Sequence, residues 1–474
     1  ALAHNFKDNV CTRCFDYSPD IQVTEGLEYA PYKDGVMVIG PGSVTAHDAF
    51  ARDINLVIPA MHEGKPVLGI RGDALYSCHE FVSVLIPNTV EFIGNGAFHG
   101  SRKLVKVVLP ESLLKIESNA FQNTYITSIH IPKNVNEIGV GVFESCPLES
   151  ITVASDNPYF SGKGNCIVEK STKTLIAGCQ NTVIPDDGSV TSIGDRAFER
   201  QSRLSSIYIP YGVTSIGNLA FDNVNSLKTV TIPNTLTSIG NQAFGYCNML
   251  STVNYLGTAA ERNTINFGSN NDKLTGANWN YAATGLEYAE IKEGNTVVAY
   301  SVLLKGTAVF SDTLIIPTTH NGLPVTKIVR DDSAGKIYDT PVKTIIIPHG
   351  ITTICDYAFL NFHSLTTVII ADSVTSIGGY AFENCEKLTT VLMGGGVREI
   401  GEMAFAQCNA LTSITLPKTL TKIGTFVFQQ TNITTVYYEG TQTDWDEITF
   451  DTVLISSGEI TGNEGWLDKI VYNS

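Results

Sequence analysis

The sequence predicts a repeat solenoid, mainly short β-strands joined by short helical or 3₁₀ turns, in two tandem arrays. Three observations predict it. A phrase recurs about every 23 residues, the whole pattern is duplicated at an offset of 259, and charged residues make up only 16% of the 474. A single short repeat cannot bury its own apolar side, whereas stacked repeats bury a continuous core between neighbours.

The recurring phrase is apolar, any residue, apolar, Pro. It ends at Pro59, Pro87, Pro110, Pro132, Pro185, Pro210, Pro233, Pro317, Pro348 and Pro417. Spacings include 110−87=23, 132−110=22 and 233−210=23. Ala371 and Gly394 fill the proline slot and carry the 23-residue step to Pro417. The full unit reads L-x-x-[VI]-x-[IL]-P-x-x-[VL]-x-x-I-G-x-x-A-F-x-x-[C/other], as in residues 227–249 and 411–431.

Each part has a physical reading. The [VI]-x-[IL] alternation is a half-buried strand, and proline closes it because it has no N–H to donate. The I-G pair is a second short extended piece, with glycine supplying backbone freedom. The A-F piece is a compact turn whose Phe points inward.

The duplication sets the organisation. Gly26–Ala30 matches Gly285–Ala289 (285−26=259), and residues 55–70 match 313–328. Tyr255–Thr258 and Tyr438–Thr441 follow the last units of the two arrays. The expected division is a tail over 1–24, a first array over 25–284 and a second over 285–474. Between 154 and 182 the period breaks and the gap grows to 185−132=53. The piece from Cys166 to Cys179 reads as a hairpin in a divergent repeat, either a variant coil or a recognition feature.

Composition excludes partners more than it names them. With 47 acidic and 31 basic side chains the formal charge is −16. No stripe of Lys and Arg is present to neutralise phosphates, so nucleic acid and anionic lipid are not expected ligands. No apolar run approaches the roughly 20 residues that span a bilayer.

The AF-x-x-C, I-x-IP and V-x-x-IG phrases resemble the BspA-type leucine-rich repeats of bacterial and protist surface proteins. The opening GLEY…IP…NGLPV and closing Y-x-GT segments are similar to the flanks of such arrays in gut Firmicutes proteins. The resemblance covers residues 26 to 474. It implies a secreted or surface-anchored, non-enzymatic protein whose solenoid face binds host or neighbouring-cell proteins. A surface spacer, or less strongly a carbohydrate-binding module, are the alternatives. No leader or anchor is legible, so placement outside the cell comes from the resemblance alone. Proline directly after the strand, with no Asn ladder, departs from ordinary leucine-rich repeats and favours a flatter, irregular solenoid.

No catalytic signature appears: G-x-S-x-G, H-E-x-x-H and a P-loop are all missing. His62-Glu63-Gly64 aligns with His320-Asn321-Gly322, so that position reads as a turn and not a general base. His4, Cys11 and Cys14 offer three of the four ligands of a tetrahedral zinc, a weak metal signal without a second pair. No cofactor is expected. Cys78, Cys146, Cys247, Cys385 and Cys408 share one slot that elsewhere holds Ser101, Thr124, Val224 or Phe362, which reads as a packing slot with free thiols. Cys166 and Cys179 are the best candidates for a disulfide.

The middle residue of each [VI]-x-[IL] strand should face outward. These positions include His130 and Tyr208 in the first array and Ile346, Ile369, Leu392, Thr415 and Tyr437 in the second. Ile346, Ile369 and Leu392 would stack as an apolar stripe, read either as a protein-binding or self-association surface or as a face covered by neighbouring structure.

Overall fold

The computed structural model describes residues 6–7, 10–11, 23–45, 53–305, 310–334, 340–455, 458–460 and 463–472. The His4, Cys11 and Cys14 side chains lie outside the described ones. The chain is a leucine-rich-repeat solenoid falling into two compact units. One comprises 1–231, 235–253 and 264–278, the other 232–234, 254–263 and 279–474.

Most of the described coils contribute to two sets of parallel ladders, one from each extended piece of the repeat. In the second unit the [VI]-x-[IL] pieces Thr313–Ile315, Thr344–Ile347, Thr367–Ile370 and Thr390–Leu392 pair in register. Further on, Ser413–Leu416, Thr435–Tyr438 and Ile470–Tyr472 form a three-stranded ladder. The I-G pieces Thr353–Ile354, Ser376–Ile377, Glu399–Ile400 and Lys422–Ile423 form the second ladder. The first unit repeats the plan, with Phe81–Leu85 beside Lys106–Val108 and Phe92–Ile93 beside Lys115–Ile116.

The I-G glycine is needed for proximity and not for an unusual torsion. A Cβ on Gly240 would sit 2.6 Å from backbone atoms of Gly217 and Asn218, and one on Gly401 2.5 Å from the Gly379 nitrogen. The coils touch backbone to backbone there, so any side chain would push them apart.

The A-F pieces form the third side of each coil. Their amides bond to the next coil, as Phe359 N–H does to the Ala381 carbonyl at 2.8 Å and Phe382 N–H to that of Ala404 at 2.8 Å. The phenyl rings stack through the core. Phe359, Phe382, Phe405 and Phe428 follow one another at 5.2, 5.2 and 5.8 Å, all within 19° of parallel. Phe198, Phe221 and Phe244 do the same at 4.9 Å in the first unit. In-register stacking explains why the slot carries Phe in most coils, with Leu75 in its place in an early coil of the first unit.

The cysteine slot is buried and its thiols are free. It also has a hydrogen-bonding role. Cys247 donates to the Phe221 carbonyl at 3.0 Å and Cys408 to that of Phe382 at 3.3 Å, one coil earlier. Ser101 makes the same bond to the Leu75 carbonyl at 3.0 Å. In these coils the Cys or Ser side chain adds this bond, whereas Val224 and Phe362 fill the slot by packing alone.

The divergent segment is a hairpin, Cys166–Glu169 against Thr174–Gly178, whose second strand joins the I-G ladder beside Ser192–Ile193. It thus substitutes for a coil. A Cβ on Gly178 would strike the Phe198 ring at 2.0 Å, so glycine lets the hairpin backbone take the place of a stacked phenyl. The disulfide expected between Cys166 and Cys179 is not formed. Cys166 lies opposite Gly178 in the register, and its Sγ turns to the Lys163 carbonyl at 3.2 Å. Where the hairpin interrupts the strand ladder, Asn165 patches the edge. Its side chain accepts from Ile151 N–H at 2.6 Å and donates to the Glu149 carbonyl at 2.8 Å.

Single asparagines close the last A-F turns. Asn271 accepts from Phe244 N–H at 3.0 Å and donates to the Gly240 carbonyl at 2.9 Å. Asn463 accepts from Val427 N–H at 3.0 Å and donates to the Gly424 carbonyl at 2.8 Å. Each side chain supplies what a further coil would have supplied. Trp466 then covers Phe428 edge-on at 4.9 Å and 90°. His62 and His320 stand at matching turns, with Glu63 and Asn321 at φ 48° and 50°. Both imidazoles stack on tyrosines, Tyr29 and Tyr288, at 3.9 and 3.8 Å.

Candidate functional site

The strand ladders place the predicted outward positions in columns, and burial separates them. In the second unit the register aligns Ile346 with Ile369 and Leu392. The expected three-residue apolar stripe does not exist as such, because Ile346 is fully buried, as is Ile315 before it. Ile346 is an inner position of the column, with Ile315 on one side and Ile369 on the other, and the ladder runs on past Ile315, whose carbonyl accepts from Ala283 N–H at 2.9 Å. Ile369 is half-buried and Leu392 is 43% exposed. The column opens toward the C-terminal coils, where Thr415 is exposed and Tyr437 is 49% exposed. Tyr437 aligns with Val471, also 48% exposed. Val471 lies beyond the last repeat, so the repeat pattern gave no signal for it.

In the first unit the predicted residues are not brought together. His130 is exposed and shares a hydrogen bond with Thr152 at 2.9 Å. Tyr208 is half-buried on a different ladder, beside Thr231, which is buried. The hairpin segment separates these ladders along the chain.

A second column escaped the sequence reading. Each A-F pair is bracketed by two residues in the left-handed region. Before the pair, the first unit has Asp73, Gly96, Asn119 and Gly141 in four of its coils, types that accept this conformation, and Arg196, Leu219 and Gln242 in three others. The second unit has Tyr357, Tyr380, Met403 and Phe426, at φ 60°, 58°, 50° and 56°. Bulky residues there cost of order 1 kcal/mol each. None is buried, and Tyr357 is 45% exposed. The Tyr357 and Tyr380 rings stack at 5.0 Å and 12°. The signal in the sequence was a run of Tyr, Tyr, Met and Phe in a slot of mixed composition elsewhere.

One groove of about 490 Å³ in the first unit brings Tyr32 and Phe92 near Glu91 and Glu117. Lys33 pairs with Glu91 at 2.7 Å and Lys115 with Glu117 at 3.3 Å, so both carboxylates already hold cations. Among the described residues no group of three or more His, Cys, Asp or Glu is placed to hold a metal. Burial pushes the Cys247 and Cys408 thiols up to about 12, which leaves them protonated and unreactive near neutral pH.

A solenoid of parallel ladders with partly exposed side-chain columns defines a repeat scaffold for protein interaction. The chain belongs to the BspA type leucine rich repeat region family, whose profile matches residues 48–164, 175–279 and 335–454 in six copies. Solved structures with the same repeat architecture include a leucine-rich repeat protein from Bacteroides ovatus, 19% identical, covering 96% of this chain and 100% of that one, TM-score 0.36. A leucine rich cell surface protein from Faecalibacterium prausnitzii is 19% identical over 92% of this chain and 99% of its own, TM-score 0.28. The pneumococcal vaccine antigen PcpA is 15% identical over 89% and 75%, TM-score 0.38. These likenesses concern fold alone. No curated protein matches the chain. Among the described residues no helix is long and apolar enough to cross a membrane.

Proposed function

We propose that this chain is a non-enzymatic binding protein of the cell surface or extracellular space, recognising a protein of a host or neighbouring cell. The observation that carries this reading is the column Ile369, Leu392, Thr415, Tyr437 and Val471. Two successive strand ladders fix these side chains, Ile369 and Leu392 on one and Thr415, Tyr437 and Val471 on the next, and all are more exposed than Ile346. A rigid backbone that holds apolar and aromatic side chains in the open reduces the entropy lost on binding, and Tyr is among the residues that dominate interfaces. Family membership supports the placement at the surface, since the F. prausnitzii relative in fold is described as a cell surface protein.

The test is binding of the purified chain to immobilised matrix proteins and to whole host cells, comparing the parent with Leu392→Asp and Tyr437→Asp. Saturable binding that both substitutions weaken, with unchanged circular dichroism, supports the reading. Absence of any partner at micromolar concentration supports a spacer role instead.

A further inference from the structure

The turn side of the second unit differs from that of the first in two independent ways. The first difference is in side-chain chemistry. Tyr357, Tyr380, Met403 and Phe426 fill a left-handed position that holds Asp73, Gly96, Asn119, Gly141, Arg196, Leu219 and Gln242 in the first unit. Gly and Asn take this conformation without strain, so the fold does not ask for large side chains there. Nor does the core reward them, since all four remain partly exposed while Phe359, Phe382 and Phe405 fill the interior behind them. The second unit alone presents uncharged aromatic and thioether side chains at this slot in four successive coils, with the Tyr357 and Tyr380 rings stacked at 5.0 Å.

The second difference is electrostatic. The two residues on either side of each Ala/Val–Phe pair, from 356 to 430, include Asp356, Glu383 and Glu402 and contain no lysine or arginine. The equivalent positions of the first unit include Arg196 and Arg200, which pair with Glu144. In the second unit Tyr380 N–H donates to the Glu402 carbonyl at 2.7 Å, and the Glu402 side chain is exposed beside the ring column. Asp356, also exposed, accepts from Gly379 N–H at 2.8 Å at the rim. Asn384 donates to Asn361 at 2.9 Å, the start of a neutral amide row on the other side of the rings.

Aromatic rings edged by carboxylates, with a methionine and a phenylalanine further along, suit long cationic side chains. The aliphatic stem of an arginine or lysine packs on Met403 and Phe426, and its charge sits against tyrosine rings and Glu402. We propose that the Tyr357–Tyr380–Met403–Phe426 column binds a basic, arginine- or lysine-bearing segment of a partner protein. This inference rests on the protein-binding reading but assigns it to a different side of the coil from the strand column. The excess of acid over base across the whole chain, 47 against 31, steers such a partner toward it.

The test uses the full chain and a fluorescent oligo-arginine peptide, with a Gly-Ser peptide and a neutral cello-oligosaccharide as comparison probes, at physiological salt. Tyr357→Asn and Tyr380→Asn together leave the charge unchanged and suit the left-handed backbone, so the fold is retained. The expected result is a tenfold or greater loss of oligo-arginine binding in this double variant. Glu402→Gln should also weaken binding, by more than Glu447→Gln, a carboxylate outside the column. Leu392→Ser should leave peptide binding unchanged. Equal binding by the double variant and the parent would show attraction by net charge alone and overturn the proposal. Loss in Leu392→Ser only would place recognition on the strand column, overturning this inference and supporting the broader reading. Oligosaccharide binding lost with the tyrosines, in place of peptide binding, would make the column a glycan platform. Concentration-dependent dimerisation abolished by the double variant would make it a self-association face. If the double variant fails to fold, the Glu402→Gln and Glu447→Gln comparison decides.

Discussion

Glu144 and Glu199 share one guanidinium, that of Arg196, at 3.2 and 2.7 Å. Both carboxylates are at least 95% buried, and Asp222 lies buried in the same neighbourhood, accepting from Gln242 at 3.2 Å. Arg200 approaches Glu144 at 3.5 Å. Three buried carboxylates thus face two guanidiniums.

Burial first, and then the charge of Glu144, pushes the Glu199 carboxyl up to about 7, against the partial opposition of Arg196. The folded chain therefore holds a proton on Glu199 between 4.5 and 7, where the unfolded chain has released it. Stability from this group is fully present below 4.5 and declines as pH rises through that window. Glu199→Gln should flatten the pH dependence of the thermal midpoint between those values. A Glu199 carboxyl carbon titrating near 4.5 by NMR would contradict the assignment.

The phenyl stack predicts a steep contrast between core and face. Phe382→Ala removes a fully buried ring stacked on both sides and should cost about 3–5 kcal/mol. Leu392→Ala removes a half-exposed side chain and should cost under about 1 kcal/mol. Urea midpoints measured on both variants check the difference. Similar losses would mean the strand column is core.

Asn463 should behave as the lock of the second unit. Asn463→Ala leaves the buried Val427 N–H and Gly424 carbonyl without partners, at about 1–3 kcal/mol. Hydrogen exchange should then accelerate first at Val427 and its turn, before the coils at Phe382. Uniform acceleration along the unit would show that the cap is not local.

The thiols give a direct chemical readout. Native protein at neutral pH should resist alkylation at Cys166, Cys247, Cys385 and Cys408, since burial holds each thiol well above its ordinary value. After denaturation without reductant all should alkylate, Cys179 included. A requirement for prior reduction at Cys166 and Cys179 would show them bridged.

The repeat, its two ladders and the inward Phe were legible in the sequence because one coil's pattern recurs in every other coil. The fate of Ile346 was not, because the phrase marks which strand positions point away from the coil's own core and not which of them their neighbours cover. Asn463 escaped because it lies outside the repeat phrase, acting on Gly424 from 39 residues away. The reason for the I-G glycine was misread as torsional freedom, since the close approach of Gly379 to Gly401 exists only once coils are stacked. The Tyr357 column occupies a position that reads as unconstrained until the backbone shows its sign of φ.

The central claim is that the open column of the second unit makes protein contacts. The most direct measurement is the affinity of a matrix or cell-surface partner for the parent and for the combined Leu392→Asp and Tyr437→Asp variant, by surface plasmon resonance. A dissociation constant at least tenfold weaker, at an unchanged thermal midpoint, is the predicted result. Unchanged affinity in that folded variant would contradict it.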